Sequence, residues 1–354
     1  YRWLISWPAL QPDLDSAPDW AATDRTVASL AEHGIDGLPM VHGSPCSVVE
    51  CRKPAPPEAH SQPPLGSPRA QAAWASFLGA LVDRYGPEGS FWSENPSLPE
   101  RPITRWQIWN EQNAPQFYRP RPSVEGYAQL LGISAEAIRA RDPDATIVLG
   151  GMFGYPSARG AIFATDFLEQ LYAIPGAGER FDAVALHPYS PDVAGLERQI
   201  LQVREVLNAH GGSATPIWIT EIGWGTSPSG DGRLVETVDG QAARLSEALG
   251  LIVAKRRRLG IAGVMWYSWR DTPEEQGLCE WCHSSGLLEA DGGGRPAWAA
   301  YAELTGGTPA TPADEDDGDP PPAAIAAAIA AAILVAVGAW VLRRRARPSE
   351  GTAR

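Results

Sequence analysis

Positive charge is scarce in this sequence. Its 354 residues carry 29 Lys and Arg against 42 Asp and Glu, a formal net charge of −13. The last twelve residues hold Arg343, Arg344, Arg345, Arg347 and Arg354 against Glu350, a local +4 that leaves −17 for residues 1–342. A surface so acidic repels phosphates, which argues against a nucleic-acid partner. Cysteine is scarce too, with four residues in two close pairs, Cys46/Cys51 and Cys279/Cys282. Two local disulfides are the first reading, because the topology argued below places the bulk of the chain in an oxidising compartment. A zinc site of all four cysteines, a thioredoxin-like pair at Cys279/Cys282 and free thiols remain as alternatives. No other cluster has metal-ligand spacing, so the sequence asks for neither a metal nor another cofactor. There is no internal sequence repeat. The numbering opens at Tyr1 with neither Met nor an apolar h-region, so an export signal is expected upstream or already removed.

Long apolar runs are also lacking, with one exception. Residues 323–342 contain no charge and no proline, and about 20 such residues span a bilayer's hydrocarbon core as a helix. The run is rich in alanine. Ile325, Ile329, Ile333, Leu334, Val335, Val337, Val341 and Leu342 supply most of its hydrophobicity, and Trp340 suits the interface. Acidic residues and Pro320, Pro321 and Pro322 precede it, and the arginine cluster follows. These flanks favour a membrane span over a buried soluble helix. The positive-inside rule keeps residues 343–354 in the cytoplasm and puts the large domain outside. Residues 307–322, rich in Thr, Pro, Ala and Asp, read as a linker.

What is present over residues 1–306 is an alternation of short apolar strands with amphipathic helices. That pattern predicts a parallel sheet with crossover helices. Strands are expected at residues 1–7, 35–42, 103–109, 145–150, 181–186, 217–220 and 261–267. The clearest helix carries the stripe Trp74, Phe77, Leu78, Leu81, Val82 and Tyr85 and stops at Gly86. Ser123 is placed to cap another. The length suits one (β/α)8 TIM barrel, which takes roughly 250 residues, plus a tail. Only seven strand–helix units are found, so one strand is expected to be missing from this numbering.

In such barrels the reacting groups sit at the C-terminal ends of strands. The third strand ends Trp106-Gln107-Ile108-Trp109-Asn110-Glu111, and the sixth ends Thr220-Glu221-Ile222-Gly223-Trp224. Glycosidic cleavage needs two carboxyl groups, one to protonate the leaving oxygen and one to attack the anomeric carbon. Two strand-end glutamates, each beside a tryptophan, answer that need better than two independent caps or salt-bridge partners.

Trp-Asn-Glu and, three strands later, Thr-Glu-Ile-Gly-Trp resemble glycoside hydrolase clan A. The wording is most similar to the branches around family 39 and the cellulase-like family 5, and the resemblance covers residues 1–306. It implies that Glu111 is the acid/base on strand four, Glu221 the nucleophile on strand seven, and Asn110 a ligand of the sugar 2-hydroxyl. Strand one and its helix are then the missing unit. The resemblance also implies that Arg2 hydrogen-bonds the nucleophile and that Trp266, or Trp269 in another register, stacks on the sugar. His187 and Tyr189 share a strand face and match a His and a Tyr of the clan. His42, ending the second strand, and Trp224, after the sixth, join them as candidate substrate-binding residues. A frayed Arg2, a core His187 and a packing Trp224 are the plainer alternatives, and Trp20, Trp74 and Trp298 are assigned to packing.

The expectation is a retaining glycoside hydrolase at the cell surface, with a carbohydrate substrate and a bilayer contact through residues 323–342. A carbohydrate-binding protein that has lost catalysis and a transglycosylase are the competing readings. The sugar, the anomeric configuration and the oligomeric state are not legible.

Overall fold

The computed structural model describes residues 1–51, 57–230, 232–273, 279 and 281–306. The expected linker, membrane helix and basic tail lie outside the described residues, as does part of the proline-rich stretch 53–68. Among the described residues no helix is long and apolar enough to cross a membrane.

The chain runs β1 (Arg2–Ser6), α1 (Trp7–Leu10), α2 (Ala21–Glu32), β2 (Leu38–His42), α3 (Pro68–Tyr85), α4 (Ser90–Glu94), β3 (Arg105–Asn110), α5 (Val124–Arg139), β4 (Thr146–Phe153), α6 (Ala164–Tyr172), β5 (Val184–His187), α7 (Val193–Ala209), β6 (Ile217–Ile222), β7 (Gly225–Thr226), β8 (Val235–Glu236), α8 (Val238–Leu259), β9 (Ile261–Trp266) and α9 (Pro296–Thr305). Helix starts follow local chemistry. Ser67, Ser123, Asp192 and Thr237 each accept a backbone N–H from the first turn of α3, α5, α7 and α8. Helix α8 ends at Gly260, whose φ of 63° a side chain would disfavour, after Arg256, Arg257 and Arg258 in its last turn. The second strand begins at Leu38 rather than 35, because the Ile35 N–H is spent on the Leu30 carbonyl at the end of α2.

Seven strands form one parallel sheet in the order β1-β2-β3-β4-β5-β6-β9, and β7 with β8 makes a separate short ribbon. Among the described residues there is no eighth strand between β9 and β1, so the barrel is partial. The sheet is nevertheless curled. Five strand spacings separate β1 from β6, about 24 Å on a flat sheet, yet Arg2 on β1 touches Glu221 on β6 at 2.6 Å.

Curling divides the side chains into two cores. Trp3, Ile5, Ile108, Leu149, Leu186 and Ile219 face outward into the large core beneath the helices. Leu38, Val148, Ala183 and Ala185, with Trp218 and Met265, fill the barrel interior. Period-two alternation carries the interior face through Gln107 in the middle of β3 and up to Thr220, His187 and Tyr267 near the ends of β6, β5 and β9.

Candidate active site

Six of the residues singled out in the sequence meet: Asn110, Glu111, His187, Tyr189 and Glu221 stand at or just past the C-terminal ends of β3, β5 and β6, and Arg2 reaches them from the first position of β1. Arg2 is the hub. Its Nη1 donates to Glu221 Oε1 at 2.6 Å, its Nη2 to Asn110 Oδ1 at 2.7 Å and its Nε to Gln107 Oε1 at 2.9 Å. The Tyr189 hydroxyl donates to the other oxygen of Glu221, Oε2, at 2.8 Å. His187 bridges the two strands: Nδ1 lies 2.8 Å from Glu111 Oε1, and Nε2 lies 3.0 Å from Thr220 Oγ1 and 3.5 Å from Glu221 Oε1. Glu111, His187 and Glu221 each place one atom within 4.8 Å of the others.

Strict alternation would not bring these groups together. On β3, Gln107 faces inward, so Asn110 should face outward. Trp109 (φ 72°) and Glu111 (φ 43°) both adopt the left-handed region, which costs a non-glycine residue about 1–2 kcal/mol. The turn sends Trp109 out, against Trp74 and Tyr118, and brings Asn110 and Glu111 to the same cluster. The Glu111 N–H is pinned to the Gly151 carbonyl at 2.9 Å. On β6, the pairing with β9 shifts register between Ile219 and Ile222. Thr220 and Glu221, neighbours in sequence, therefore both reach His187. A bulge of this kind re-aims side chains at a strand end. Two glycines make room. A Cβ on Gly151 would stand 2.0 Å from His187 Nε2, and one on Gly223 would stand 2.0 Å from the Tyr267 carbonyl.

The two carboxyl groups differ electrostatically. Burial pushes Glu111 up, the His187 contact offsets only part of that, and the charge of Glu221 adds to it, so Glu111 lies above the ordinary glutamate value. Burial also pushes Glu221 up, but His187, Arg2 and the Tyr189 hydroxyl together outweigh it and hold Glu221 below that value. Tyr189 is held well above the usual phenol range by burial and by Glu221.

Four expected site residues stand elsewhere. Trp224 is 1% exposed, packs on Trp266 and donates its indole N–H to the Ser190 carbonyl. It has no free face for a substrate, which corrects its assignment. Trp266 also points away from the interior, because Met265 already occupies that face; its N–H goes to the Ser285 carbonyl. Tyr267, one residue on, stands with Tyr189 in the field of both carboxylates. Trp269 is 46% exposed and lies edge-on to Trp298 of α9, on the helical side. His42 is partly exposed, with its ring 4.3 Å from Trp109 and 3.5 Å from the Phe117 carbonyl, and no hydrogen bond joins it to the carboxylates. Burial lowers it to about 4.

Gln107, Thr220, Tyr267 and Trp281 complete the surroundings without having been singled out. Parity from the interior residues Trp218 and Met265 points to Thr220 and Tyr267. Trp281 lies 4.9 Å from Tyr189 and 6.0 Å from Tyr267, ring to ring, and only its place between two cysteines marked it. Both cysteine pairs are disulfides, Cys46–Cys51 and Cys279–Cys282. Among the described residues, Cys46, Cys51 and His60 also have metal-ligand spacing, but the disulfide occupies both sulfurs. In the Glu111–His187–Glu221 group, the Arg2 guanidinium already neutralises the site where a cation would sit.

A family profile described as the glycosyl hydrolase catalytic core matches residues 120–294. That match supports a glycoside hydrolase. It takes in His187, Tyr189 and Glu221, and stops short of Glu111. The fold is shared with a family 39 glycoside hydrolase from Bacteroides cellulosilyticus WH2, at TM-score 0.60 and 20% identity over 86% of this chain and 57% of that one. A monomeric β-xylosidase from Caulobacter crescentus CB15 matches at TM-score 0.51 and 17% identity, covering 86% and 67% of the two chains. A GH5_18 protein from Bifidobacterium longum subsp. longum, solved with Manβ1-4GlcNAc, matches at TM-score 0.57 and 18% identity, covering 88% and 71%. The chain thus spans little more than half the length of the family 39 enzyme. No curated protein matches it in sequence.

Proposed function

We propose that this chain is a retaining glycoside hydrolase of clan A, with Glu221 as nucleophile and Glu111 as acid/base. The observation that carries this reading is the pair itself: carboxylate oxygens within 4.8 Å of one another, one group biased towards its protonated form and the other towards its ionised form. Retaining enzymes hold the two groups about 5–5.5 Å apart, whereas inverting enzymes leave about 6.5–9.5 Å for a water. In the first step ionised Glu221 attacks the anomeric carbon, and Glu111 gives its proton to the departing oxygen. In the second, Glu111 takes a proton from water, which attacks the same carbon and releases Glu221. Arg2 and Tyr189 hold both oxygens of Glu221 before attack, so little reorganisation is needed as charge moves. Arg2 also occupies Asn110 Oδ1. The Asn110 amide nitrogen has no partner among the described residues, leaving two N–H groups for a sugar hydroxyl.

The substrate is proposed to be an extracellular or cell-surface oligo- or polysaccharide, with the domain held outside by residues 323–342. That placement rests on the uncharged run and its arginine flank alone. Protease shaving of intact cells should remove the domain and leave the tail; resistance of the domain overturns the placement.

The catalytic reading is tested with Glu221→Ala and Glu111→Ala on aryl glycosides. Glu221→Ala should lose activity and regain it with azide, giving a glycosyl azide of inverted configuration. Glu111→Ala should keep part of its first step when the leaving group is good, because little acid assistance is then needed. Wild type should release a product of retained configuration by NMR. A folded wild type that binds glycans but hydrolyses none, with both variants binding equally well, would replace this reading by a carbohydrate-binding one.

A further inference from the structure

Trp281 belongs to neither core. Among the described residues, every other tryptophan except Trp269 packs in or against one, and Trp269 rests on Trp298. Trp281 is partly exposed, and its indole N–H has no protein partner among the described residues. Its ring contacts are Tyr189, which holds Glu221, and Tyr267, which lies in the field of both carboxylates.

The loop beneath it is built to stay in place. Cys279 and Cys282 bracket the residue with a disulfide. Ser284 donates its backbone N–H to the Trp281 carbonyl at 3.2 Å and receives the Thr226 N–H on its hydroxyl at 3.1 Å. Arg295 joins the Ser284 carbonyl to Thr226 Oγ1 and is itself paired with Asp271. The loop presses on β7 so closely that a Cβ on Gly225 would stand 2.5 Å from the Trp281 carbonyl. A large aromatic ring kept out of the core, partly exposed and fixed at the edge of a polar site is suited to take a ligand against its exposed part.

We propose that Trp281 is a stacking platform for a sugar unit next to the reacting one, and that the Cys279–Cys282 disulfide sets its position. The proposal rests on the glycosidase reading and narrows the substrate to chains of at least two sugar units. The disulfide acts only through Trp281, so it is a positioning element.

The test uses the full chain and whichever of xylotetraose, cellotetraose and mannotetraose the wild type hydrolyses, beside the p-nitrophenyl glycoside of the same sugar. Trp281→Ala should lower the ratio of kcat/KM on tetrasaccharide to kcat/KM on aryl glycoside about tenfold, mainly through KM on the tetrasaccharide. Trp281→Phe should recover part of the loss. Reduction by a phosphine should lower the same ratio in wild type and in Cys46→Ser/Cys51→Ser, and leave Cys279→Ser/Cys282→Ser unmoved from an already lowered value. An unchanged ratio in folded Trp281→Ala overturns the platform; a ratio indifferent to reduction overturns the positioning role. If wild type hydrolyses none of these, the glycosidase reading is decided separately, by the Glu221→Ala and Glu111→Ala experiment on aryl glycosides. Calorimetric titration with the tetrasaccharides then decides the platform: weaker binding by Trp281→Ala supports it, and equal or absent binding overturns it.

Discussion

At the scale of the residue, two glutamates of identical chemistry carry opposite stability consequences. Glu111 is raised above the ordinary value of about 4.3. The folded state therefore binds its proton more tightly, and stability falls as pH rises from about 4.3 through the raised value. Glu111→Gln should melt higher than wild type at pH 7, with the gain fading below about pH 4. Glu221 is lowered, so its contribution is present above about 4.3 and lost as pH falls through the depressed value. Glu221→Gln leaves Arg2, only 9% exposed in its side chain, without a counter-charge and should cost about 3–5 kcal/mol at neutral pH. Melting curves of the two variants that move in the same direction at pH 7 would refute this assignment. On the proposed mechanism activity should be bell-shaped in pH, with Glu221 setting the acid limb and Glu111 the alkaline one. His42 adds a third slope: unfolded it titrates near 6.5 and folded near 4. The unfolded state binds more protons between those values, so stability drops as pH falls through that window. His42→Asn should flatten the melting temperature between pH 6.5 and 4.

At the scale of the element, the strands were legible because each is a short apolar run closed by a turn residue. Their last residues were legible for a chemical reason, since a carboxylate beside tryptophan at a strand end has few packing uses. The breaks in alternation were not legible. They depend on the left-handed turn at Trp109 and Glu111 and on the register shift of β6 against β9, which exist only once neighbouring strands pair. That is also why the stacking ring was sought at Trp266 and Trp269 when Tyr267 holds the interior position. The loop carrying Trp281 was read only for its cysteines, because its ring contacts, Tyr189 just past β5 and Tyr267 just past β9, meet only once the sheet has formed. A test at this scale is Gly151→Ala. Its methyl would displace His187, and an ångström-scale displacement in a catalytic constellation costs on the order of 10²-fold in rate. Far-UV circular dichroism should be unchanged. Full activity would show that His187 has room to move.

At the scale of the whole molecule, a single large core runs from Trp3 in β1 to Ala297 in α9. Tryptophan fluorescence, circular dichroism and activity should therefore be lost in one coincident transition. Leu149→Ala, at a fully buried position, should lower stability by about 2–5 kcal/mol, measured by urea unfolding. A separate early loss of activity would mean that the strand ends open before the core does. The Arg2–Glu221 contact ties β1 to a strand five places away in the sheet. On the proposed double displacement that carboxylate would become an uncharged ester in the glycosyl-enzyme, and the tie would slacken. Chemistry at the anomeric carbon would then be felt as mechanics: each turnover would release and re-fasten one margin of the sheet. Amide hydrogen exchange in residues 2–6 should quicken when the enzyme is trapped with a slow 2-fluoro glycoside and slow again on hydrolysis.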